Sequence, residues 1–400
     1  MTAFVVPTGR RAFVLFLVLG GVAVYGPASM DMYLPALPKL AHSFGVPASA
    51  AQLTVTTYLA GLAIGQLIAG PFSDVLGRRR PLLVGLVVYT VGSLLCALAP
   101  TLYVLVAMRL LQGLAASGGV AISRAIIRDL YSGARAARYF SRLMIVIGVA
   151  PVVAPTVGAQ LLRATSWRGI FVALSLLGVV LFVATATLLP ETLPKERRRA
   201  GRLQVTVRVF AMLLRDRVFR GRALALGCAM GSIIAYVAGS PFVVEDIYRR
   251  SPQFFSLMFS ANAVVMIAFS QLNAHLVQRI LTGRLLAWGL VVNVLSGMAI
   301  VTVLLVGGLG LWPIIVGFLV LFSTWGFIQP NVTALALADH PQVAGTASAG
   351  LGFVQYGMGA IAAPLVGVGG ARTGLPLGLV ILTFSVASFL AVASTAWHRS

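Results

Sequence analysis

Acidic side chains are scarce in this chain: nine Asp and Glu stand against thirty Lys and Arg in 400 residues, and charged residues of both signs make up only 10%. A soluble domain carries about 25% charged residues to meet water, so the shortage excludes one. Histidine is almost missing too. Of four, His42, His340 and His398 fall outside the long apolar runs and His275 lies near the end of one, so no imidazole proton wire is available. The two cysteines, Cys96 and Cys228, sit in separate apolar runs without CxxC or metal spacing, and they read as free core thiols. No cluster of nucleophile, base or metal ligands falls at one depth, so neither catalytic residues nor a metal are expected. What is abundant is apolar: 59% hydrophobic residues and a mean hydropathy of +0.97 make this an integral membrane protein with the lipid bilayer as its surroundings. The net charge of +21 lies in short clusters between apolar runs, with no aromatic-studded basic groove, so nucleic acid is not expected as a partner.

Twelve apolar runs have about the length a bilayer-spanning helix needs: residues 12–37, 51–72, 82–98, 102–122, 140–162, 169–189, 223–244, 254–276, 285–306, 311–337, 344–368 and 375–396. An even number puts both termini on one side. That side collects about 23 Lys and Arg and the other about six, which predicts a multi-pass protein with both termini cytoplasmic. The basic segment 191–222 divides the chain into a first half, 1–190, and a second, 223–400. Its Val205, Val209, Met212 and Leu213 have the spacing of an interfacial helix; a solvated connector is the plainer reading.

Two charges stand out within the runs. Asp31 follows a stretch from Ala12 to Met30 without a charged side chain, in Gly26-Pro-Ala-Ser-Met-Asp-Met-Tyr-Leu-Pro-Ala-Leu-Pro38. A carboxylate at membrane depth costs about 2.5–3.5 kcal/mol and needs a partner, a proton or a wet cavity; at the rim it needs nothing, and both readings are open. Arg109, in Met108-Arg-Leu-Leu-Gln-Gly113, is the one basic residue deep inside a predicted span, about 11 Å from the outer surface at 1.5 Å per residue. Both charges then fall in the outer half, where they either pair or Arg109 snorkels outward.

The loop after the second run reads Gly70-Pro-Phe-Ser-Asp74-Val-Leu-Gly77-Arg78-Arg-Arg80 and resembles the cytoplasmic loop signature of the major facilitator superfamily. Asn273-Ala-His-Leu-Val-Gln-Arg279-Ile-Leu-Thr-Gly283-Arg284 looks like a degenerate copy without the acid, as internal repetition in a transporter would leave it. The fifth run carries Gly148-Val-Ala-Pro151-Val-Val-Ala-Pro155-Thr-Val-Gly158, in which prolines kink the helix and free carbonyls while small residues admit a neighbour. It resembles the antiporter signature of drug exporters. With Ser29–Pro38, Trp167-Arg168 and Pro190-Glu-Thr192, the chain is similar to the bicyclomycin- and chloramphenicol-resistance group.

The resemblance implies twelve transmembrane helices in two six-helix bundles, monomeric in a bacterial cytoplasmic membrane, exporting small amphipathic drugs in exchange for protons. Such a carrier needs no cofactor, since the proton gradient drives it. Asp31 would be the coupling residue and Arg109 the buried cation that tunes it. Gly70, Asp74, Gly77 and Arg78 would form the cytoplasmic latch between the halves, and Gly148, Pro151, Pro155 and Gly158 the antiporter motif. Unlike some cation-exporting relatives, this first run holds no second acid, so a neutral or zwitterionic drug such as a phenicol or bicyclomycin type suits it better. Tyr33, Tyr58, Gln112, Tyr236, Asn262 and Gln355 are polar residues within the runs and candidates to line a cavity. A proton-coupled carrier of an endogenous metabolite is the alternative, because fold does not fix direction or cargo.

Overall fold

A computed structural model describes residues 9–194, 196, 198, 202–368 and 373–396. Lys195, Arg197, Arg199, Arg372 and Arg399, all counted above for orientation, lie outside the described residues. The chain runs through helices α1 (Gly9–Asp31), α2 (Leu37–Phe44), α3 (Ala48–Leu76), α4 (Arg79–Ala97), α5 (Leu102–Ala116), α6 (Gly118–Leu130), α7 (Gly133–Ala164) and α8 (Trp167–Leu188). After these come α9 (Arg202–Arg215), α10 (Arg217–Phe242), α11 (Pro252–Leu276), α12 (Thr282–Val306), α13 (Trp312–Ala338), α14 (Ala344–Leu365) and α15 (Leu375–Ala396). Among the described residues there is no strand. Side-chain oxygens of Thr101, Ser166, Asp216 and Ser251 accept from the first-turn N–H groups of α5, α8, α10 and α11, which otherwise have no partner.

Among the described residues, eleven helical segments are long and apolar enough to cross a membrane. The twelfth run of the sequence count that falls short is α14, whose Gly, Ser, Thr and Gln dilute its hydropathy although its 22 residues suffice in length. It packs between α3 and α10 and so presents less surface to lipid. We call the side bearing the loops at Gly77, Ser132, Leu281 and His340 the basic face, and the opposite side the far face.

Three of the segments that run further than their apolar runs bear on the site. The first continues from Ala12 to Phe44, because Pro35 and Pro38 sit in the opening turns of the short helices that follow Asp31, where no donor is needed. The fourth reaches Leu130 as an amphipathic helix, with Ile122, Ile126, Ile127 and Leu130 buried and Arg124 and Arg128 exposed. The seventh starts at the Asp216 cap and ends in a π-helical turn, Val243–Ile247, that takes in Glu245 and Asp246. Asp31 and Arg109 are therefore not the only charges within the spans.

Within the first half α1 packs on α7 and α6, α3 on α5, and α4 on α8; within the second, α10 packs on α15 and α14, α12 on α13, and α11 on α13. The halves meet along two antiparallel seams, α3 with α14 and α7 with α11. The linking helix α9 is more than a solvated connector. Leu213 is fully buried, Val209 packs against the second-half core, and Phe210 stands edge-on to Phe353 at 5.9 Å, while Met212 is exposed.

Candidate functional site: a buried acid and a caged cation

Asp31 ends α1 nineteen residues from Ala12 and thirteen from Phe44, so about 20 Å of helix separate it from the far end. It is not at a rim. Its residue is 8% exposed, and among the described residues its carboxylate has no hydrogen bond or ion pair. The hydroxyl of Tyr356 on α14 lies within range of its charge. The acid thus faces the second half across the gap between the bundles.

Arg109 is elsewhere. Fully buried on α5, it donates from Nη1 to Gln112 Oε1 at 2.7 Å and to the Ser29 carbonyl at 3.4 Å, and from Nε to the Thr54 carbonyl at 3.3 Å. Its guanidinium carbon lies 4.1 Å from the Tyr58 ring centre, 4.9 Å from Tyr33 and 5.7 Å from Phe171. Aromatic faces thus stand around Nη2, which has no hydrogen-bond acceptor. A direct ion pair with Asp31, one of the readings left open, is absent among the described residues, and Arg109 does not snorkel outward either, being fully buried. Arg109 touches α1 through the backbone two residues earlier, at Ser29, and the Tyr58 hydroxyl holds Gly26 O at 2.7 Å.

Most of the expected cavity residues are tied to neighbouring side chains, Tyr33, Tyr58 and Gln112 around Arg109 and Tyr236 with Asn262 in the second half. Tyr33, Tyr58, Gln112, Tyr236 and Asn262 are all fully buried. Tyr33 bonds Thr54 Oγ1 at 2.7 Å, Gln112 donates to Ser93 Oγ at 2.7 Å, and Asn262 donates to the Tyr236 hydroxyl at 2.6 Å within a nest of Phe259, Phe318 and Phe322. Polar groups in an apolar surround find partners in neighbouring helices, and these have done so. Gln355, beside Tyr356, remains half-buried.

The loop motif is a network inside the first half. Gly77, at φ 92°, turns the chain sharply after α3, and Arg78 then reaches Asp74 Oδ1 at 2.7 Å, Ser73 Oγ at 2.8 Å and Asp129 Oδ2 at 2.9 Å. Glu191 accepts from the Arg78 backbone N–H at 2.8 Å and from that of Arg79 at 3.3 Å. Burial pulls the Arg78 pKa down, and hydrogen bonds and charge from Asp129 and Asp74 outweigh it, holding the guanidinium above its ordinary value. Gly70 has open space around it. Asp129 was not recognised from the sequence; its signal is a lone acid at the end of the amphipathic extension of α6. Arg78→Ala is expected to cost roughly 1–3 kcal/mol of stability, reduced from a fully buried pair because both acids are partly exposed, while exposed Arg80→Ala stays near wild type. Thermal unfolding of the purified variants checks this.

The second-half copy has no such network. Arg279 and Arg284 are exposed, and Asn273 instead forms a reciprocal amide pair with Asn331, at 2.7 and 3.4 Å. The basic-face ion pair of this half joins Arg222 with Asp339 at 2.7 Å.

The fifth-run motif works through close approach. A methyl at Gly158 would overlap the Met32 carbonyl, so this glycine lets α7 press on the turn after Asp31, whereas at Gly148 it would meet only Ile267 at 3.8 Å. Pro151 and Pro155 free the carbonyls of Ile147 and Pro151. The carbonyls used across the seam are different ones: Val152 accepts from Ser260 at 2.6 Å, Pro155 from Ser256 at 3.0 Å and Ala159 from Gln253 at 3.0 Å. Gln52 donates to Ala238 O at 3.1 Å, and His42 lies 3.5 Å from Asp246. These contacts between the halves lie from mid-depth to the far face, which is closed.

A two-bundle helical fold around a central acid defines a membrane carrier, not an enzyme. The profile described as Major Facilitator Superfamily matches residues 12–364, and the chain belongs to that family. It is 38% identical to the uncharacterized MFS-type transporter YdgK of Bacillus subtilis over 96% of both chains. It is 32% identical, over 89% of each, to a bicyclomycin resistance protein homolog of Haemophilus influenzae. The multidrug resistance protein MdtL of Salmonella heidelberg is 28% identical over 94% of this chain and 93% of its own. Among solved structures, a D-xylose-proton symporter superposes with a TM-score of 0.75 at 15% identity, covering 96% of this chain and 97% of the other, and shares the fold.

Proposed function

We propose that this transporter exports small amphipathic drugs in exchange for protons, by alternating access of one site to the two faces. The observation that supports it most is Asp31: an acid buried between the halves without a partner, in a chain whose far face is closed by contacts between those halves. A proton relieves such a carboxylate, and a drug competing for the same gap expels that proton. Arg109 tunes the acid through the α1 backbone at Ser29, and motion of α1 against α5 changes their separation. The relatives named for bicyclomycin and multidrug resistance support a drug as cargo, with phenicol and bicyclomycin types as the first candidates. The chain works as a monomer in the bacterial cytoplasmic membrane, with both termini, 191–222 and the basic face cytoplasmic and the far face outside. The bundles 1–190 and 223–400 rock against each other.

Cells expressing the protein are expected to resist chloramphenicol or bicyclomycin, with resistance lost on adding a protonophore. Resistance that survives the protonophore overturns proton coupling, and proton-driven accumulation of a metabolite in its place establishes an uptake carrier. Reporter fusions at Arg222 and Arg249 are expected to read opposite sides, and an external signal at Arg222 reverses the orientation.

A further inference from the structure

Among the described residues, Arg124 differs from the three buried arginines Arg109, Arg78 and Arg222. Arg109 is caged, Arg78 is held between Asp74 and Asp129, and Arg222 donates to Asp339. Arg124 is exposed, although it lies six residues inside the basic-face end of the span Leu102–Leu130, about 9 Å deep. Its neighbours Ser123, Ala125, Ile126 and Ile127 are buried in the first half, so the arginine points away from that core. Nη2 approaches Met144 Sδ on α7 at 3.8 Å, and the Tyr356 hydroxyl of α14, in the other half, lies within range of its charge. The side chain therefore stands in the gap between the bundles rather than against lipid. A thioether is a weak acceptor, and among the described residues no carboxylate pairs with this guanidinium. Tyr356 is also within range of Asp31. By residue count from the basic face, Arg124, Tyr356 and Asp31 lie at depths of roughly 9, 18 and 28 Å along one gap.

We propose, resting on the antiport reading above, that Arg124 is a specificity-determining residue that binds the acidic group of an amphipathic substrate. A planar fork of donors left without an acid is matched by a carboxylate, sulfonate or phosphate in two parallel hydrogen bonds. The remainder of the substrate lies past Tyr356 towards Asp31. An acid held at Arg124 is about 19 Å along the axis from the Asp31 carboxylate, far enough for their repulsion to be small. The far end of the substrate is what competes with the proton. The selected class is thus acid-bearing amphipaths, zwitterions included, rather than neutral compounds alone.

The test uses the purified full-length protein and two matched pairs of probes: norfloxacin against its methyl ester, and chloramphenicol succinate against chloramphenicol. Binding is read by thermal stabilisation across a concentration series. Wild type is expected to bind the acid-bearing member of each pair more tightly. Arg124→Gln is expected to weaken the acid-bearing members about tenfold and to leave the blocked members within about twofold, while Arg124→Lys retains part of the preference. Absence of any preference for the acids in wild type, or an equal loss for both members in Arg124→Gln, overturns the proposal, as does failure of every acid to bind. Antiport fails separately: proteoliposomes that move the acids without proton counterflow remove the coupling and leave the selectivity of Arg124 standing.

Discussion

In proteoliposomes carrying Asp31→Asn, an imposed pH difference is expected to drive no uphill movement of drug, whereas wild type concentrates it. The amide keeps the shape and hydrogen-bonding capacity of the acid and removes its proton site, and the carboxylate has no structural ion pair whose loss would unfold the protein. Binding should therefore survive, with an affinity no longer dependent on pH, while transport down a drug gradient continues. Linkage requires the converse in wild type: a proton that weakens drug binding is itself bound less tightly when drug is present, so binding releases protons into a weakly buffered solution. Coupled accumulation by Asp31→Asn, measured against a protonophore control, would place the coupling elsewhere. Glu245, in the π-helical turn at the far end of α10, would be the next acid to exchange.

The second large effect is expected from one motif position and not from another. Gly158→Val inserts carbon where the Met32 carbonyl already lies, so α7 must leave the turn that follows Asp31. Overpacking of a tight site costs about 1–3 kcal/mol, and here the strain falls on the backbone next to the buried Asp31, so export should drop at least about tenfold. Gly148→Val meets only Ile267 and should remain near wild type. Measured export per inserted molecule separates the two. Equal losses would show that the motif acts through helix flexibility rather than through this contact.

Local chemistry made part of this site legible before any coordinates. A lone acid after nineteen uncharged residues and a lone arginine in an apolar run are visible because charge is so expensive in lipid. Gly77 and Arg78 show because a tight turn and a charge cluster occupy adjacent positions. What escaped was whatever depended on where a helix stops. Arg124 counted as a loop residue because hydropathy fades after Ile122, although Ile126, Ile127 and Leu130 keep helical spacing to the end of α6. Pairings between distant segments escaped as well. Nothing local tells Gln112 that Ser93 will hold it, or Asn273 that Asn331 will, and a polar residue in a span reads the same whether it lines a gap or is tied to a neighbour.

The seam between α7 and α11 is joined by hydroxyl and amide donors reaching to main-chain carbonyls, with no ion pair across it among the described residues. Ser256 already divides its hydrogen between Pro155 O across the seam and Pro252 O of its own helix, at 2.8 Å. A serine on a helix always has such a carbonyl one turn back to return to, and the α7 carbonyls can fall back on their own ladder. Separating the two helices therefore lets the serines swap their crossing bonds for ones at home instead of stranding those donors. For Ser256, opening the seam is an exchange between two hydrogen bonds it already shares.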